Sequence, residues 1–321
     1  MSQNGNRQDS PLVVIAIGGN SLIKDDRHRS VMDQYRAVGE TASHIIPIVR
    51  EGYRVVVTHG NGPQVGFILL RSDMARNVLH QVPLASCVAD TQGAIGYQIA
   101  QTLRNELRLQ GMNREVAALV TQVVVDKDDP GFDHPDKPIG PFMTKAEARQ
   151  READDGWVVG EDAGRGWRRL VPAPAPLEIV ELDAIRALLE RGTLVIAVGG
   201  GGIPVVREPD GRLTGRDAVI DKDAASCVLA TELGASVLIK STSVDKVALD
   251  FGTPQQVDID LMNVAEGRRY LAQGHFAAGS MRPKIEAALT FLEQGGERVI
   301  ITQPHHLEEA LHGKHGTHIV P

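Results

Sequence analysis

The chain has 321 residues, of which 42% are apolar, 23% charged and 4% aromatic, with a net charge of −7. That length can bury a large core, in one big α/β domain or two smaller ones. The negative balance and the lack of a Lys/Arg run argue against a nucleic-acid surface or an anionic membrane face, and the scarce aromatics against base stacking.

Residues 1–10 read as a disordered polar tail without the apolar segment of a signal peptide. No apolar run approaches the roughly 18–20 residues that span a bilayer. Leu12 to Ile17 is a continuous apolar run, the mark of a strand buried on both faces, and it stops at Gly18-Gly19-Asn20. Val31, Tyr35, Val38, Ala42, Ile45, Ile46 and Val49 follow at helical spacing, and Gly52 ends that helix. A second strand, Arg54 to Thr58, enters His59-Gly60-Asn61-Gly62-Pro63-Gln64. Strand, glycine turn, helix, strand, glycine turn is a parallel βαβ pattern, in which ligands collect at the carboxyl ends of the strands.

A long helical segment is expected from about Val65 to Gln110, then a strand from Val116 to Val125. From Asp126 to Pro176 prolines, glycines, charges and both tryptophans concentrate, which reads as an inserted lid subdomain rather than a solvated linker. Helix Leu182 to Leu189 and strand Thr193 to Val198 lead to Gly199-Gly200-Gly201-Gly202, and a hairpin turns at Pro209-Asp210-Gly211. Next, Ala218-Val219-Ile220-Asp221-Lys222-Asp223 enters a helix that Asp221 or Asp223 caps and that Gly234 follows. Strand Ser236 to Lys240 runs into Ser241-Thr242-Ser243, and Gly279 to Lys284 opens a helix with Pro283 early in it. Val299 to Thr302 is a late strand, and Gly316 to Val320 closes the chain.

Three glycine turns thus follow three apolar strands, and two lysines, Lys222 and Lys284, stand at helix starts. Backbone N–H groups, helix dipoles and lysines aimed at one place suit a transferring phosphoryl group. No Gly-x-x-x-x-Gly-Lys-[Ser/Thr] occurs, and Gly60 to Gly66 misses Gly-x-Gly-x-x-Gly, so neither a Walker NTPase nor a dinucleotide fold is indicated. His59 is either a phosphate donor or a group that orients the backbone. His305, His306, His312, His315 and His318 lack zinc spacing and read as a solvated tail. Cys87 and Cys227 have no sequence-local partner and read as core residues, so a cytoplasmic location is expected.

Seven segments in order resemble the carbamate kinases of the amino acid kinase family, from about Val13 to Ile319: Ala16 to Asn20, Thr58 to Gly66, Asp136 to Phe142, Glu161 to Arg168, Gly199 to Val205, Val219 to Asp223, and Gly279 to Lys284. The resemblance implies an open three-layer αβα sandwich with a mostly parallel central sheet and a protruding lid at residues 126–176. It also implies a nucleotide-binding half at about 193–321, and a homodimer. The implied activity is reversible phosphoryl transfer from carbamoyl phosphate to ADP with Mg²⁺, giving ATP and carbamate, which decomposes to ammonia and CO₂. Gly18, Gly19, Asn20, Gly60, Asn61 and Gly62 would line the carbamoyl phosphate side. Lys222 and Lys284 would neutralise the phosphates, Asp223 would hold the lysines, and Lys137 would reach the carbamoyl group from the lid. Gly200, Gly201, Lys222, Ser241, Thr242, Val244, Met281 and Lys284 would bind nucleotide, with no protein ligand to metal. The run Lys240 to Lys246 departs from the family pattern and is expected to tune nucleotide binding away from the chemistry. The alternatives are a non-catalytic relative that binds nucleotide or an acyl phosphate, and a sibling kinase of a carboxylate.

Overall fold

The computed structural model describes residues 10–18, 30–162, 166–277 and 280–321. Eight strands form the main sheet, in the spatial order Leu261–Asn263, Thr317–Val320, Arg298–Thr302, Val237–Ser241, Leu12–Ile17, Arg54–His59, Leu194–Ile196 and Val116–Ala118. The last six of these are mutually parallel, and Thr317–Val320 joins them antiparallel. The apolar runs are continuous because both faces are covered. Val14, Val56, Val195, Leu238 and Val299 meet the Leu182–Glu190, Lys222–Glu232 and Met281–Glu293 helices. Val13, Ile15, Val57, Ile196, Ile239 and Ile300 meet the Val31–Arg50, Leu84–Leu109 and Leu307–Leu311 helices. Alternation across the pleat thus builds two cores from one set of strands, the expected αβα sandwich.

The expected long helix is two, Gly62–Met74 and Leu84–Leu109, parted by a turn that ends at Pro83, whose fixed φ suits the position before the second helix. The expected strand Val116 to Val125 also divides. Val116–Ala118 belongs to the main sheet, whereas Gln122–Val125 pairs with Ile203–Arg207 and Pro176–Ile179 in a second, four-stranded sheet that Leu213–Gly215 completes. The break is pinned by Gln92, which accepts from the Thr121 N–H at 2.7 Å and donates to the carbonyls of Thr121 and Gly199 at 3.0 Å each.

Within residues 126–176, strands Lys137–Met143, Trp167–Val171 and Val158–Glu161 form an antiparallel sheet, with the Lys145–Asp155 helix connecting two of them. Trp157 lies between the guanidinium groups of Arg151 and Arg169 at 5.0 and 4.9 Å, and Trp167 meets Arg149 at 5.2 Å, which accounts for the tryptophans on a polar unit. Ile139 and Val171 seat it on Val65, Cys87, Val88 and Val219. A Cβ on Gly66 would lie 2.8 Å from the Gly140 Cα, so only glycine at 66 lets the unit approach this closely.

Two further expectations change. Leu194–Ile196 lies between Arg54–His59 and Val116–Ala118, so the C-terminal half of the sheet begins at Val237 rather than at 193. The histidine-rich end is no solvated tail: Leu307 and Ala310 are buried, Thr317–Val320 is a sheet strand, and His306 stacks on His315 at 3.9 Å.

Candidate active site

The carboxyl ends of the parallel strands bring the glycine turns together. Gly18 follows Leu12–Ile17, while Gly19 and Asn20 lie outside the described residues. Beside Gly18, the Gly60 N–H donates to the Ile17 carbonyl at 3.0 Å, and Asn61 and Gly62 open the Gly62–Met74 helix. The Asn61 amide donates to Thr91 Oγ1 at 2.8 Å, which fixes its orientation. Gly199 to Gly202 pack against this turn so tightly that side chains are excluded. A Cβ would lie 2.4 Å from His59 Nε2 at Gly199, 2.2 Å from Asn61 Nδ2 at Gly200 and 2.3 Å from the Ile220 carbonyl oxygen at Gly201. Gly200 and Gly201 also have φ of +67° and +93°, the region glycine adopts at no steric cost. Gly200 therefore stands next to Asn61, and Gly201 against the Ile220 carbonyl. His59 is 1% exposed, its Nδ1 lies 3.1 Å from the Gly60 carbonyl, and burial pushes its pKa down to about 4. It is a neutral group holding the turn.

Across the sheet's centre stands the lysine cluster. Asp221 caps the Lys222–Glu232 helix, accepting from the N–H groups of Asp223 at 2.8 Å and Ala224 at 3.2 Å. Two amides that the sequence left for an anion are thus already used. The second oxygen of Asp221 accepts from Lys137 Nζ at 2.7 Å, which brings the first residue of a lid strand to the helix start. Burial works to raise the Asp221 carboxyl, and the Lys137 cation outweighs it, holding that group below its ordinary value.

Asp223, one position past the first helical residue, is 5% exposed and faces three ammonium groups. Lys284 Nζ donates at 2.7 Å, Lys222 Nζ lies at 3.7 Å, and Lys240 Nζ lies at 3.5 Å. Burial alone would raise this carboxyl, yet the three cations hold it well below the usual carboxylate range. Lys222 is pushed down to about 8, by burial above all and then by Lys284 and Lys240 against the pull of Asp223.

Lys137, Lys222, Asp223 and Lys284 thus stand around one helix start, Lys222 and Lys284 on Asp223 and Lys137 on Asp221. Lys240 is the residue that sequence reasoning misplaced. It lies in the middle of the main sheet opposite Ala16 and Ile301, fully buried, and inside the cluster. A lysine at the end of an apolar run reads as a solvated strand end; its position on the central strand is the signal that demands a partner.

Among the residues expected to bind nucleotide, Thr242 N–H donates to the Thr302 carbonyl at 2.9 Å, and Val244 and Met281 are half-buried. Ser241 Oγ is buried without a hydrogen-bond partner among the described residues. Hard cations take oxygen ligands, and both carboxylates at the cluster are engaged by lysines. Asp245, His306 and His315 bring their ligand atoms within 4.8 Å of one another, with the two rings stacked 3° from parallel, a mixed nitrogen and oxygen donor set suited to a softer ion than Mg²⁺. A cavity of about 750 Å³ opens under the lid, lined by Gly66, Asp73, Leu84, Ile139, Arg151 and Trp157, and none of the four lysines lines it.

The chain as a whole is similar to known proteins. A model of the amino acid kinase family matches residues 11–303. The carbamate kinase-like protein YahI of Escherichia coli is 51% identical over 312 residues, covering 96% of this chain and 98% of the relative. The carbamate kinase of Pyrococcus furiosus is 47% identical over 311 residues, covering 96% and 99%. In three dimensions the chain is similar to carbamate kinase from Giardia lamblia bound to AMP-PNP, with a TM-score of 0.89, 41% identity, and 97% and 99% of the two chains covered. The chain belongs to the amino acid kinase family.

Proposed function

We propose that this protein is a carbamate kinase, transferring a phosphoryl group reversibly from carbamoyl phosphate to ADP and releasing carbamate. The observation that carries the reading is the buried cluster of three ammonium groups around one carboxylate. Buried charge left without a counter-ion is costly, so the site is built to receive a polyanion. Phosphoryl transfer needs alignment and charge stabilisation more than covalent help from the protein, and this cluster supplies both. Lys222 and Lys284 take the transferring group between them, Asp223 sets their separation, and the Gly60 to Gly62 turn with Asn61 seats carbamoyl phosphate. Gly18, Gly19 and Asn20 complete that side. Lys137, carried by the lid, leaves Asp221 for the carbamoyl end of the substrate. The opposite wall, Ser241 to Val244 with Met281, takes the nucleotide. Mg²⁺ would come with the nucleotide phosphates and offset part of their charge.

A coupled assay for ATP formed from carbamoyl phosphate plus ADP tests the reading. Steady turnover is expected; nucleotide binding without turnover would leave a non-catalytic relative, and turnover with an amino acid carboxylate alone a sibling kinase. Cytoplasmic location is in keeping with two buried free cysteines, and no helix among the described residues is long and apolar enough to cross a membrane. A homodimer is supported by exposed Met32, Met74, Val78 and Tyr97 on neighbouring helices and the turn after one of them. Sedimentation should give about twice the 34.6 kDa chain mass, and the chain mass itself would refute the dimer.

A further inference from the structure

We propose that Lys240 is a positioning residue of the transfer site, a third ammonium that fixes Asp223 as an anion between Lys222 and Lys284 and keeps the crevice electropositive. This deepens the phosphoryl-transfer reading and rests on it. Lys240 is 0% exposed, and its Nζ reaches the Asp223 carboxylate at 3.5 Å and the Asp223 carbonyl at 3.4 Å. Both contacts lie at the edge of hydrogen-bond range. Among the described residues, the carboxylates that act on Lys240 are Asp223 and, more weakly, Asp221, which is committed to Lys137.

A side chain selected for packing alone would not be charged here. The strand neighbours are Ala16 and Ile301, and a methionine would fill the same space without the cost of burying an ammonium. Three cations share one carboxylate, so their mutual repulsion is only partly offset, and replacing one by an apolar isostere should relieve it. Lys240 thus costs stability, and its return is the electrostatic state of the other two lysines.

That state is what the experiment reads. The groups facing Lys222 are Asp221 and Asp223 on its own helix, Lys240 on the central strand, Lys284 on the Met281–Glu293 helix, and neutral His59. Lys240 and Lys284 both favour loss of the Lys222 proton, burial being the larger cause. Lys222 acts as a cation, so activity and ADP binding fall as pH rises through its pKa. Without Lys240 the proton is held to higher pH, and the alkaline limb moves up.

Lys240→Met and Lys240→Arg are to be compared with the wild-type chain. Thermal melting, kcat against pH, and calorimetric ADP binding from pH 6.5 to 9.5 are the measurements. Lys240→Met is expected to melt no lower than wild type and to lose kcat by about tenfold. Its alkaline limb, in kcat and in ADP binding, should shift up by about half a unit or more. Lys240→Arg should recover part of the kcat and keep the wild-type limb. An unmoved limb, an unchanged kcat, or a Lys240→Met chain that melts lower or does not fold overturns the proposal. If the wild-type chain makes no ATP from carbamoyl phosphate, the activity reading fails separately, and the pH dependence of ADP binding still decides the role of Lys240.

Discussion

The four lysines of the site are not equivalent, because each has a different claim on an anion. Lys222 and Lys284 share Asp223 and are 11% and 17% exposed at the side chain, so each has an edge open to the crevice. Lys222→Ala and Lys284→Ala should each lower kcat by on the order of 10²-fold or more, as lost transition-state charge donors do. Wild-type kcat in either variant would remove that lysine from the chemistry. The wild-type rate itself should decline on the alkaline side as pH rises through about 8, the value to which burial pushes Lys222. Asp223→Asn is expected to fail differently. It takes the shared anion from three buried cations, a loss of about 3–5 kcal/mol of stability, read from urea unfolding. An Asp223→Asn chain as stable as wild type would show that the lysines are not charged together in the free protein. Lys222, Asp223 and Lys284 were legible because capping residues and helix starts are local signals. Lys240 was not, because its partner lies 17 residues upstream and meets it only once the Val237–Ser241 strand is placed beside Leu12–Ile17.

At the scale of elements, legibility follows the range of the determining contacts. Leu12–Ile17 and Arg54–His59 announce themselves because a strand covered on both faces is apolar throughout and ends where glycine lets the chain turn. The division of Val116 to Val125 is invisible in the same kind of run, since both pieces are apolar and the switch at Thr121 is fixed by Gln92 on a distant helix. The glycine turns were read as backbone N–H groups for a phosphate, which does not tell what packs against each glycine. At Gly201 it is the backbone carbonyl of Ile220, which cannot rotate away. Gly201→Ala therefore has both a left-handed φ and a backbone overlap to accommodate, and should cost at least about 1–3 kcal/mol. Gly39→Ala is the comparator. It lies inside the Val31–Arg50 helix, and its nearest neighbour, Thr102 Cγ2, is 3.9 Å from the new Cβ. That change should stabilise the chain by about 0.5–1 kcal/mol. Thermal melting of the two variants reads the contrast, and equal melting temperatures would mean that the Gly201 turn yields.

Across the whole molecule, the site is a meeting of three bodies: the N-terminal half of the sheet with its glycine turns, the C-terminal half with Lys240 and Lys284, and the lid. The lid's composition was legible as an insertion because charges, prolines and tryptophans interrupt an apolar rhythm. Its own fold was less so, since the three-stranded unit occupies only Lys137–Val171, and the flanking Gln122–Val125 and Pro176–Ile179 strands belong elsewhere. The lid is fastened to the crevice at Lys137, whose ammonium bonds Asp221 at 2.7 Å, and through the Val219 N–H, which donates to the Pro172 carbonyl at 3.0 Å. Both Lys137 and Asp221 keep about a third of their side chains exposed, so the pair is one that a substrate anion can enter and exchange. Carbamoyl phosphate would offer Lys137 a new partner at its carbamoyl end, whereas ADP, on the proposed reading, would lie against the opposite wall and have no claim on it. Closure of the lid should then depend on the acyl phosphate, exclude water from a labile substrate and complete the site. Lys137→Ala is expected to lower kcat/KM for carbamoyl phosphate by about 10- to 1,000-fold, the range for one lost charged contact. Calorimetric ADP affinity, measured without carbamoyl phosphate, should stay within about twofold, a change of roughly 0.4 kcal/mol. Hydrogen exchange supplies the second reading, with amides of the Lys137–Met143 strand gaining protection from carbamoyl phosphate in the wild-type chain and not in the variant. Equal losses toward ADP, or protection that appears with ADP alone, would place Lys137 with the nucleotide and make the lid a fixed wall of the crevice.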